Sequence, residues 1–355
     1  MSTDPSFFLE HLYKKQKRAF SYLPENDQAW QGWSAGLRRA ITDQIGLDRI
    51  PASPDGLQPE RMESVDCATY IRELYTLQIA PELTSLAYVL IPKLENNQLP
   101  DQNTKVPAIL ACHGHGYGVR DIVGLEADGS PRKGDSGYHK DFALSLVQRG
   151  FIVVAPEIIG FGQARREQEI KGDPGESSCY PLSTGLMMFG VTMAGLRVFQ
   201  AQRLLDYMNS RPDINADRIG CMGISGGGLV AAFTSALDDR ITATVISGYV
   251  NTFKDCILSV HHCVDNYVPG ILRFCEMPDL VRLIAPRPLL IESGLEDPIF
   301  PIQAAKKAAE NILDMYKFFH AQQCLETDFF AGDHQIHGEK AYPWLQRWLT
   351  KEQKH

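Results

Sequence analysis

The sequence predicts an α/β fold in which helices cover both faces of a mostly parallel sheet of eight strands. From residue 70 onward, short apolar runs alternate with helical stretches, and such alternation is typical of parallel sheets. A glycine-rich turn at 223–228 joins one apolar run directly to the helical stretch that follows it. The chain has 355 residues, 44% of them hydrophobic, which is enough to bury a large core.

The predicted elements follow from local patterns in the chain. The first two strands have no helix between them, so we expect them to pair antiparallel. The strands are placed at 71–79, 85–91, 108–112, 152–155, 219–222, 243–247, 289–292 and 327–330. The helices are placed at 7–20, 27–45, 140–148, 191–210, 227–236, 302–321 and 338–351.

Three segments lie outside the regular alternation. Residues 1–65 are expected to form an N-terminal helical extension to a main domain at 66–355. Residues 251–280 interrupt the alternation between the sixth and seventh strands, and we expect a cap or lid there. Residues 162–181, rich in charge and glycine, are expected to form a second long loop on the same rim.

Charge and cysteine content exclude several classes of protein. The net charge is −8, which argues against a chain that neutralises phosphate backbones, so no nucleic-acid partner is expected. No apolar run approaches the roughly 18 residues of a membrane span, and the first residues do not resemble a secretory signal. The 8 cysteines form no C-x-x-C pair and fit reduced thiols. The expectation is a cytoplasmic protein without a membrane partner.

The strongest motif is Gly223-Ile-Ser225-Gly-Gly227, which stands between a predicted strand and a predicted helix. A sharp turn there would hold the serine in a strained conformation, and the glycines would let the flanking backbones pass closely. The N-terminus of the following helix directs N–H groups at a developing oxyanion. We therefore predict that Ser225 is a nucleophile. A phosphate-binding loop is less favoured because no lysine follows the glycines.

A nucleophilic serine of this architecture needs an acid that follows it in the chain. Asp297 comes shortly after the strand at 289–292, at the carboxyl edge of the sheet where ligands bind. Glu292 and Glu296 are its competitors, one within or at the end of the strand and the other expected in solvent. Asp297 is the predicted acid.

The base should follow the last strand. His334 lies closest to that strand, in a tight turn at Gly332, whereas His337 lies at the entry to the last helix. We predict that His334 takes the proton of Ser225 and that Asp297 fixes its tautomer. His337 is the alternative.

An oxyanion hole requires two backbone donors. The N–H of Gly226, directly after the serine, is the first. The loop after the third core strand reads His113-Gly-His115-Gly116, and we choose the N–H of His115 as the second donor, with Gly116 as the alternative. His113 is expected to brace the loop.

Histidine clusters raise the question of a metal ion. Histidines alternate at 113 and 115, a His-His-Cys group stands at 261–263, and two histidines are three residues apart at 334 and 337. None of these spacings supplies a closed set of four ligands. The sequence therefore predicts no metal and no cofactor.

Together these motifs resemble the α/β-hydrolase superfamily. More narrowly, the chain resembles bacterial hydrolases of the acetyl xylan esterase and dienelactone hydrolase type. The segments similar to that group are 120–124, 155–162, 265–270 and 292–298. The resemblance implies a Ser–Asp–His triad, no cofactor, hydrolysis of small esters and an oxyanion N–H from His115. Dienelactone hydrolases use a cysteine nucleophile, and Ser225 departs from that pattern.

The sequence thus predicts a serine esterase that works through an acyl-enzyme. The expected substrate is a short-chain, acetyl ester of a carbohydrate or another small molecule. A peptidase of the same fold and a hydrolase-fold binding protein without catalysis are the alternatives. Related carbohydrate esterases often assemble, so the resemblance also allows a homo-oligomer.

Overall fold

The computed structural model describes residues 3–350 and places nine of their segments in one sheet. The strands are β1 (Glu60–Cys67), β2 (Tyr70–Ala80), β3 (Leu83–Pro92), β4 (Val106–Cys112), β5 (Ile152–Pro156), β6 (Ile214–Ile224), β7 (Ile241–Ser247), β8 (Leu289–Gly294) and β9 (Leu325–Phe330). Their order across the sheet is β1-β2-β3-β5-β4-β6-β7-β8-β9. The predicted α/β class and the mostly parallel sheet are confirmed.

The sheet changes character at β5. The pairs β1–β2, β2–β3 and β3–β5 are antiparallel, and every pairing from β5 to β9 is parallel. Ile71 stands opposite Ile91 in the β2–β3 pair, so the expected antiparallel pairing of the first two predicted strands is confirmed.

Strand β1 is the ninth strand, which the sequence did not reveal. Most of its residues are exposed, and its sequence ERMESVDC carries charges where a half-buried strand would show regular apolar alternation. It lies at the edge of the sheet and pairs only with β2. Backbone pairing with β2 holds it there, and hydrophobic periodicity cannot report such pairing.

The helices of residues 3–350 are mostly those predicted, with differences at their ends. They are α1 (Ser6–Lys15), α2 (Asp27–Ile45), α3 (Phe142–Val147), α4 (Glu167–Ile170), α5 (Cys179–Met187), α6 (Met193–Ser210), α7 (Gly226–Leu237), α8 (Met277–Val281), α9 (Ile302–Phe318) and α10 (Ala341–Thr350). Helix α4 lies in the segment expected to be a loop, α5 begins at the end of that segment and continues beyond it, and α8 forms the end of the segment expected to be a cap. Residue 351, the predicted end of the last helix, lies outside the described range, and no helix within that range is long and apolar enough to cross a membrane.

The core consists of two apolar layers, one on each face of the sheet. Successive residues of β4 point to opposite faces: Ile109 packs in the layer with α3 and α10, and Leu110 packs in the layer with α2, α6, α7, α8 and α9. Both residues are fully buried. Burial on both faces explains why the parallel strands read as continuous apolar runs.

Helix α2 belongs to the larger of these layers. Trp33, Leu37, Ile41 and Ile45 recur every four residues, form one face of the helix and are buried. The side chain of Asn26 caps the start of α2 by accepting a hydrogen bond from Ala29 N–H. Helix α1 has no buried residue. The division into an extension at 1–65 and a main domain remains a prediction.

The contribution of α2 can be measured with one substitution. We expect Ile41→Ala to lower the free energy of unfolding by about 2–5 kcal/mol, because it leaves a cavity in the core. Arg39→Ala, on the exposed face of the same helix, is the matched control and should change stability by less than about 0.5 kcal/mol. Urea denaturation of both variants tests this, and equal stabilities would show that α2 does not support the core.

Candidate active site

The order of the strands brings the predicted site residues to one edge of the sheet. Ser225 directly follows β6, and His115 follows the neighbouring strand β4. Asp297 follows β8 and His334 follows β9, which are also neighbours. All four strands are parallel, so these residues stand at their carboxyl ends, where open α/β sheets bind ligands.

Ser225 occupies a strained turn between β6 and α7. Its backbone has φ 56° and ψ −121°, a conformation that residues with side chains rarely adopt. A Cβ atom on Gly223 would lie 2.2 Å from the carbonyl oxygen of Gly227, and one on Gly227 would lie 2.0 Å from that of Cys112. The two glycines are therefore required by the close passage of the backbones.

Asp297 and His334 form a hydrogen-bonded pair. Nδ1 of His334 lies 2.7 Å from Oδ2 of Asp297, and the carboxylate accepts, so the ring proton is on Nδ1. The other oxygen, Oδ1, accepts hydrogen bonds from the N–H groups of Ile299 (2.8 Å) and Phe300 (2.9 Å). Nε2 of His334 is buried and makes no hydrogen bond to a residue in the 3–350 range. It is therefore free to exchange a proton.

Tyr138 lies between the loop beside Ser225 and the ring of His334. Its ring centroid is 5.4 Å from that of His334. A Cβ atom on Gly114 would lie 2.3 Å from the hydroxyl of Tyr138 and 3.0 Å from Cβ of Ser225. Tyr138 thus lies close to both His334 and the turn of Ser225.

The competing acid and base have other partners. Nδ1 of His337 is 2.8 Å from Oδ2 of Asp328, and its ring stacks on Phe330. Glu296 is exposed.

Glu292 is fully buried and braces the loop that carries both histidines. Its carboxylate accepts hydrogen bonds from the hydroxyl of Ser247 (2.8 Å) and from the N–H groups of His337 (3.0 Å) and Gly338 (2.9 Å). Burial raises the pKa of this carboxyl group, and these hydrogen bonds partly oppose the rise. The geometry therefore gives Glu292 a structural task.

The loop after β4 lies beside Ser225 and is held by residues that the sequence did not single out. A Cβ atom on Gly226 would lie 3.3 Å from Nδ1 of His115, so the imidazole of His115 covers the start of α7. The hydroxyl of Tyr138 donates to the carbonyl oxygen of His115 at 2.5 Å, and Gly114 N–H donates to Nε2 of His139 at 2.9 Å. Tyr138 and His139 lie in an irregular segment without a motif, so only the fold reveals them.

Two buried histidines act here as neutral hydrogen-bonding groups. Burial lowers the pKa of His139 well below its usual value. Nε2 therefore keeps its lone pair and can accept the hydrogen bond from Gly114 N–H. Nε2 of His113 accepts from Ile158 N–H at 3.0 Å, which places its ring proton on Nδ1, toward the carbonyl oxygen of Gly114. The expected bracing role of His113 agrees with these contacts.

The segment at 251–280 forms part of the wall beside His334. It consists of short helical turns followed by α8. Its residue His262 packs edge-on against Phe300, with ring centroids 5.3 Å apart, and Phe300 stacks on His334 at 5.5 Å. Within the segment, the Tyr267 hydroxyl donates a hydrogen bond to the carbonyl oxygen of Ile257 at 3.0 Å. The segment is thus connected to His334 through the ring of Phe300.

A buried polar cluster lies behind His115; we name His115, Cys179, Arg197, Cys263 and Asp265 the Asp265 cluster. Nη1 of Arg197 donates to Oδ2 of Asp265 at 2.6 Å, and both side chains are buried. Burial by itself would raise the pKa of Asp265, but the charge of Arg197 and further interactions, including hydrogen bonds from Arg197 and Cys263, together outweigh burial and lower the pKa to about 2. A hydrogen bond from Cys263, assisted by the charge of Arg197, outweighs burial and lowers the pKa of Cys179 to about 5.

Known structures share this architecture. A Bacteroides fragilis protein, provisionally named an acetyl xylan esterase, has a TM-score of 0.80 at 18% identity, with 98% of this chain and 95% of that chain covered. A glucuronoyl esterase from Solibacter usitatus has a TM-score of 0.65 at 16% identity and covers 94% of this chain and 98% of its own. These similarities show that the chain has the same fold as those proteins.

Sequence comparison gives the family. YtaP of Bacillus subtilis (strain 168), provisionally named a hydrolase, is 28% identical over 315 residues, which are 85% of this chain and 94% of YtaP. The model of the Abhydrolase family matches residues 7–332. The chain therefore belongs to the Abhydrolase family, and the superfamily predicted from the sequence is confirmed.

The structural task of Glu292 can be tested against its exposed neighbour. Glu292→Gln replaces one buried acceptor oxygen by an NH₂ group, which donates hydrogen bonds and cannot accept them. One N–H group of the histidine loop therefore loses its partner. We expect the free energy of unfolding to fall by about 1–3 kcal/mol. Glu296→Gln should have almost no effect. Denaturant titrations at neutral pH provide the comparison, and an equally stable Glu292→Gln variant would contradict the bracing role.

Proposed function

We propose that this protein is a serine hydrolase that cleaves carboxylic esters through an acyl-enzyme. Ser225 is the nucleophile, His334 the general base and Asp297 the residue that orients it. The observation that carries the proposal is the Asp297–His334 hydrogen bond, which leaves a buried Nε2 without a hydrogen bond among residues 3–350, at the edge of the sheet where the strained Ser225 turn also lies. Such an arrangement suits acyl transfer.

The mechanism follows from these positions. Nε2 of His334 takes the hydroxyl proton of Ser225 as its oxygen attacks the ester carbonyl carbon. Negative charge develops on the carbonyl oxygen, and the N–H groups of Gly226 and His115 stabilise it. The tetrahedral intermediate collapses, the alcohol leaves with the proton from His334, and an acyl group remains on the serine. A water molecule, deprotonated by His334, then attacks the acyl carbon; the bond from that carbon to the serine oxygen breaks, His334 returns the proton to Ser225, and the acid is released.

Asp297 makes this proton transfer efficient through position and charge. Its hydrogen bond holds the proton on Nδ1, so the lone pair of Nε2 is available, and its negative charge stabilises the imidazolium that forms. The N–H groups of Ile299 and Phe300 hold the carboxylate in turn. Stacking of Phe300 on His334 limits rotation of the ring.

The proposed substrate is a short-chain ester, with an acetylated carbohydrate or another small acetyl ester as the favoured class. Ser225 is only half-buried, so an acyl group can reach it, but aromatic rings from four segments stand around the site: Tyr138, Phe161, His262 and Phe300. The fold is shared with proteins named as acetyl xylan and glucuronoyl esterases, which supports ester hydrolysis as the reaction and carbohydrates as the alcohol.

Replacement of the nucleophile is the direct test of the mechanism. We expect Ser225→Ala to lower kcat for p-nitrophenyl acetate by about 10³-fold or more, because no acyl-enzyme can form. A fluorophosphonate probe should label the wild-type protein at Ser225 and leave the alanine variant unlabelled. Near-wild-type turnover by the variant would refute the mechanism, and absence of labelling and turnover in the wild type would favour a binding protein.

The two histidines provide a matched comparison. His334→Ala should lower kcat about as strongly as Ser225→Ala, because both remove parts of one proton-transfer unit. His337→Ala removes the contact with Asp328 and the stacking on Phe330, and it should reduce kcat by less than about tenfold. Steady-state kinetics decide between them. A larger loss in His337→Ala would assign the base to that residue.

The size of the acyl group tests the proposed substrate class. A longer chain would gain about 0.8 kcal/mol for each buried methylene, so a preference for acetate requires steric exclusion by the surrounding rings. We expect kcat/KM to be higher for p-nitrophenyl acetate than for the octanoate. The opposite order would leave the serine mechanism intact and overturn the short-chain assignment.

A further inference from the structure

The Asp265 cluster contains more potential metal ligands than any group of histidines that lie close together in the sequence. Four of its side chains offer one ligand atom each, and these atoms all lie within 4.8 Å of one another: His115, Cys179, Cys263 and Asp265. They come from three separate segments, namely the loop after β4, the start of α5 and the segment at 251–280. Two cysteines, one histidine and one carboxylate form a set of donors that suits Zn²⁺.

The spacing of the donor atoms fits a tetrahedral ion. Zinc bonds to nitrogen, oxygen and sulfur place neighbouring ligand atoms of a tetrahedron roughly 3.4–3.8 Å apart. Nε2 of His115 lies 3.6 Å from Oδ2 of Asp265, and Sγ of Cys179 lies 3.3 Å from the same oxygen. Only small side-chain shifts would therefore be needed to bind the ion.

One of the four potential ligand atoms makes no hydrogen bond within residues 3–350. Nε2 of His115 is buried and makes no hydrogen bond to any residue between 3 and 350. A buried ring nitrogen without a partner is costly, so such an atom calls for an explanation. Coordination of a cation would use its lone pair.

The charges of the cluster are compatible with a divalent cation. Zinc binds cysteines as thiolates, and two thiolates with the carboxylate of Asp265 balance the ion together with the guanidinium of Arg197. Arg197 donates to Oδ2 of Asp265 and, at 3.2 Å, to Sγ of Cys179. Hydrogen bonds from outside to ligating groups are common at metal sites and orient the ligands. Arg197 would orient two of the ligands in this way.

We propose that His115, Cys179, Cys263 and Asp265 form a structural Zn²⁺ site that ties the segment at 251–280 to the loop after β4. Four protein ligands close the coordination shell, and closed shells are typical of structural sites. The ion fixes the imidazole of His115, the residue whose backbone lies beside Ser225. The site stands independently of the proposed ester hydrolysis, because zinc binding is measured without a substrate.

The experiment measures metal binding by the full-length protein. The protein is kept reduced, stripped with EDTA and titrated with Zn²⁺ against a chromogenic chelator. Co²⁺ is then used as a spectroscopic substitute. We expect one zinc ion per chain and a thiolate-to-cobalt charge-transfer band. Cys263→Ser should weaken zinc binding by at least about tenfold, whereas Cys324→Ser, a half-buried thiol in the connection before β9, should bind as the wild type does.

A second ligand variant guards against a folding defect. His115→Asn replaces a partly exposed side chain and should also weaken zinc binding, with a circular dichroism spectrum like that of the wild type. Added zinc should raise the Tm of the wild type and of Cys324→Ser but not of Cys263→Ser or His115→Asn. Absence of stoichiometric zinc binding by the reduced wild type, or equal binding by all variants, would overturn the proposal.

Discussion

The site depends on one steric constraint, the contact between the start of α7 and the end of β4. At Gly227 the backbone passes so close to Cys112 that a Cβ atom would stand 2.0 Å from its carbonyl oxygen. This approach presses the turn of Ser225 against the loop that contains His115. It therefore sets both the strained conformation of the serine and the distance from the serine to the second expected oxyanion donor. A larger residue at this position would separate the two.

Two carboxylates near the histidines show how environment assigns different tasks to similar groups. Asp297 contacts an imidazole whose other nitrogen makes no hydrogen bond within residues 3–350, so its charge can act on a proton that moves. Glu292 contacts two backbone N–H groups and a serine hydroxyl, and none of these donors exchanges its proton in the proposed mechanism. The first arrangement suits catalysis and the second suits loop stability. Sequence position alone distinguishes them poorly, because the two residues lie at the end of one strand and just after it.

The segment at 251–280 reaches the proposed site from two sides. Through His262 and Phe300 it packs toward His334, and through Asp265 it packs toward His115. A change in this segment would therefore act on both the proposed base and the loop that contains His115. The buried Arg197–Asp265 pair is one of the contacts that hold it, and breaking such a pair is costly because it leaves an unpaired buried charge.

The sequence by itself determined the parallel core strands, the glycine-flanked turn of Ser225 and the order in which Asp297 and His334 follow it. These features are local: apolar runs, glycines required by one turn and residues placed directly after strands can be read along the chain. Only the tertiary structure decided that His334 contacts Asp297 while His337 contacts Asp328, and that Tyr138 and His139 hold the loop that contains His115. The edge strand β1 and the Asp265 cluster also emerged only from the fold. Each depends on pairing between segments far apart in the chain, and no periodicity or spacing within a single segment encodes such contacts.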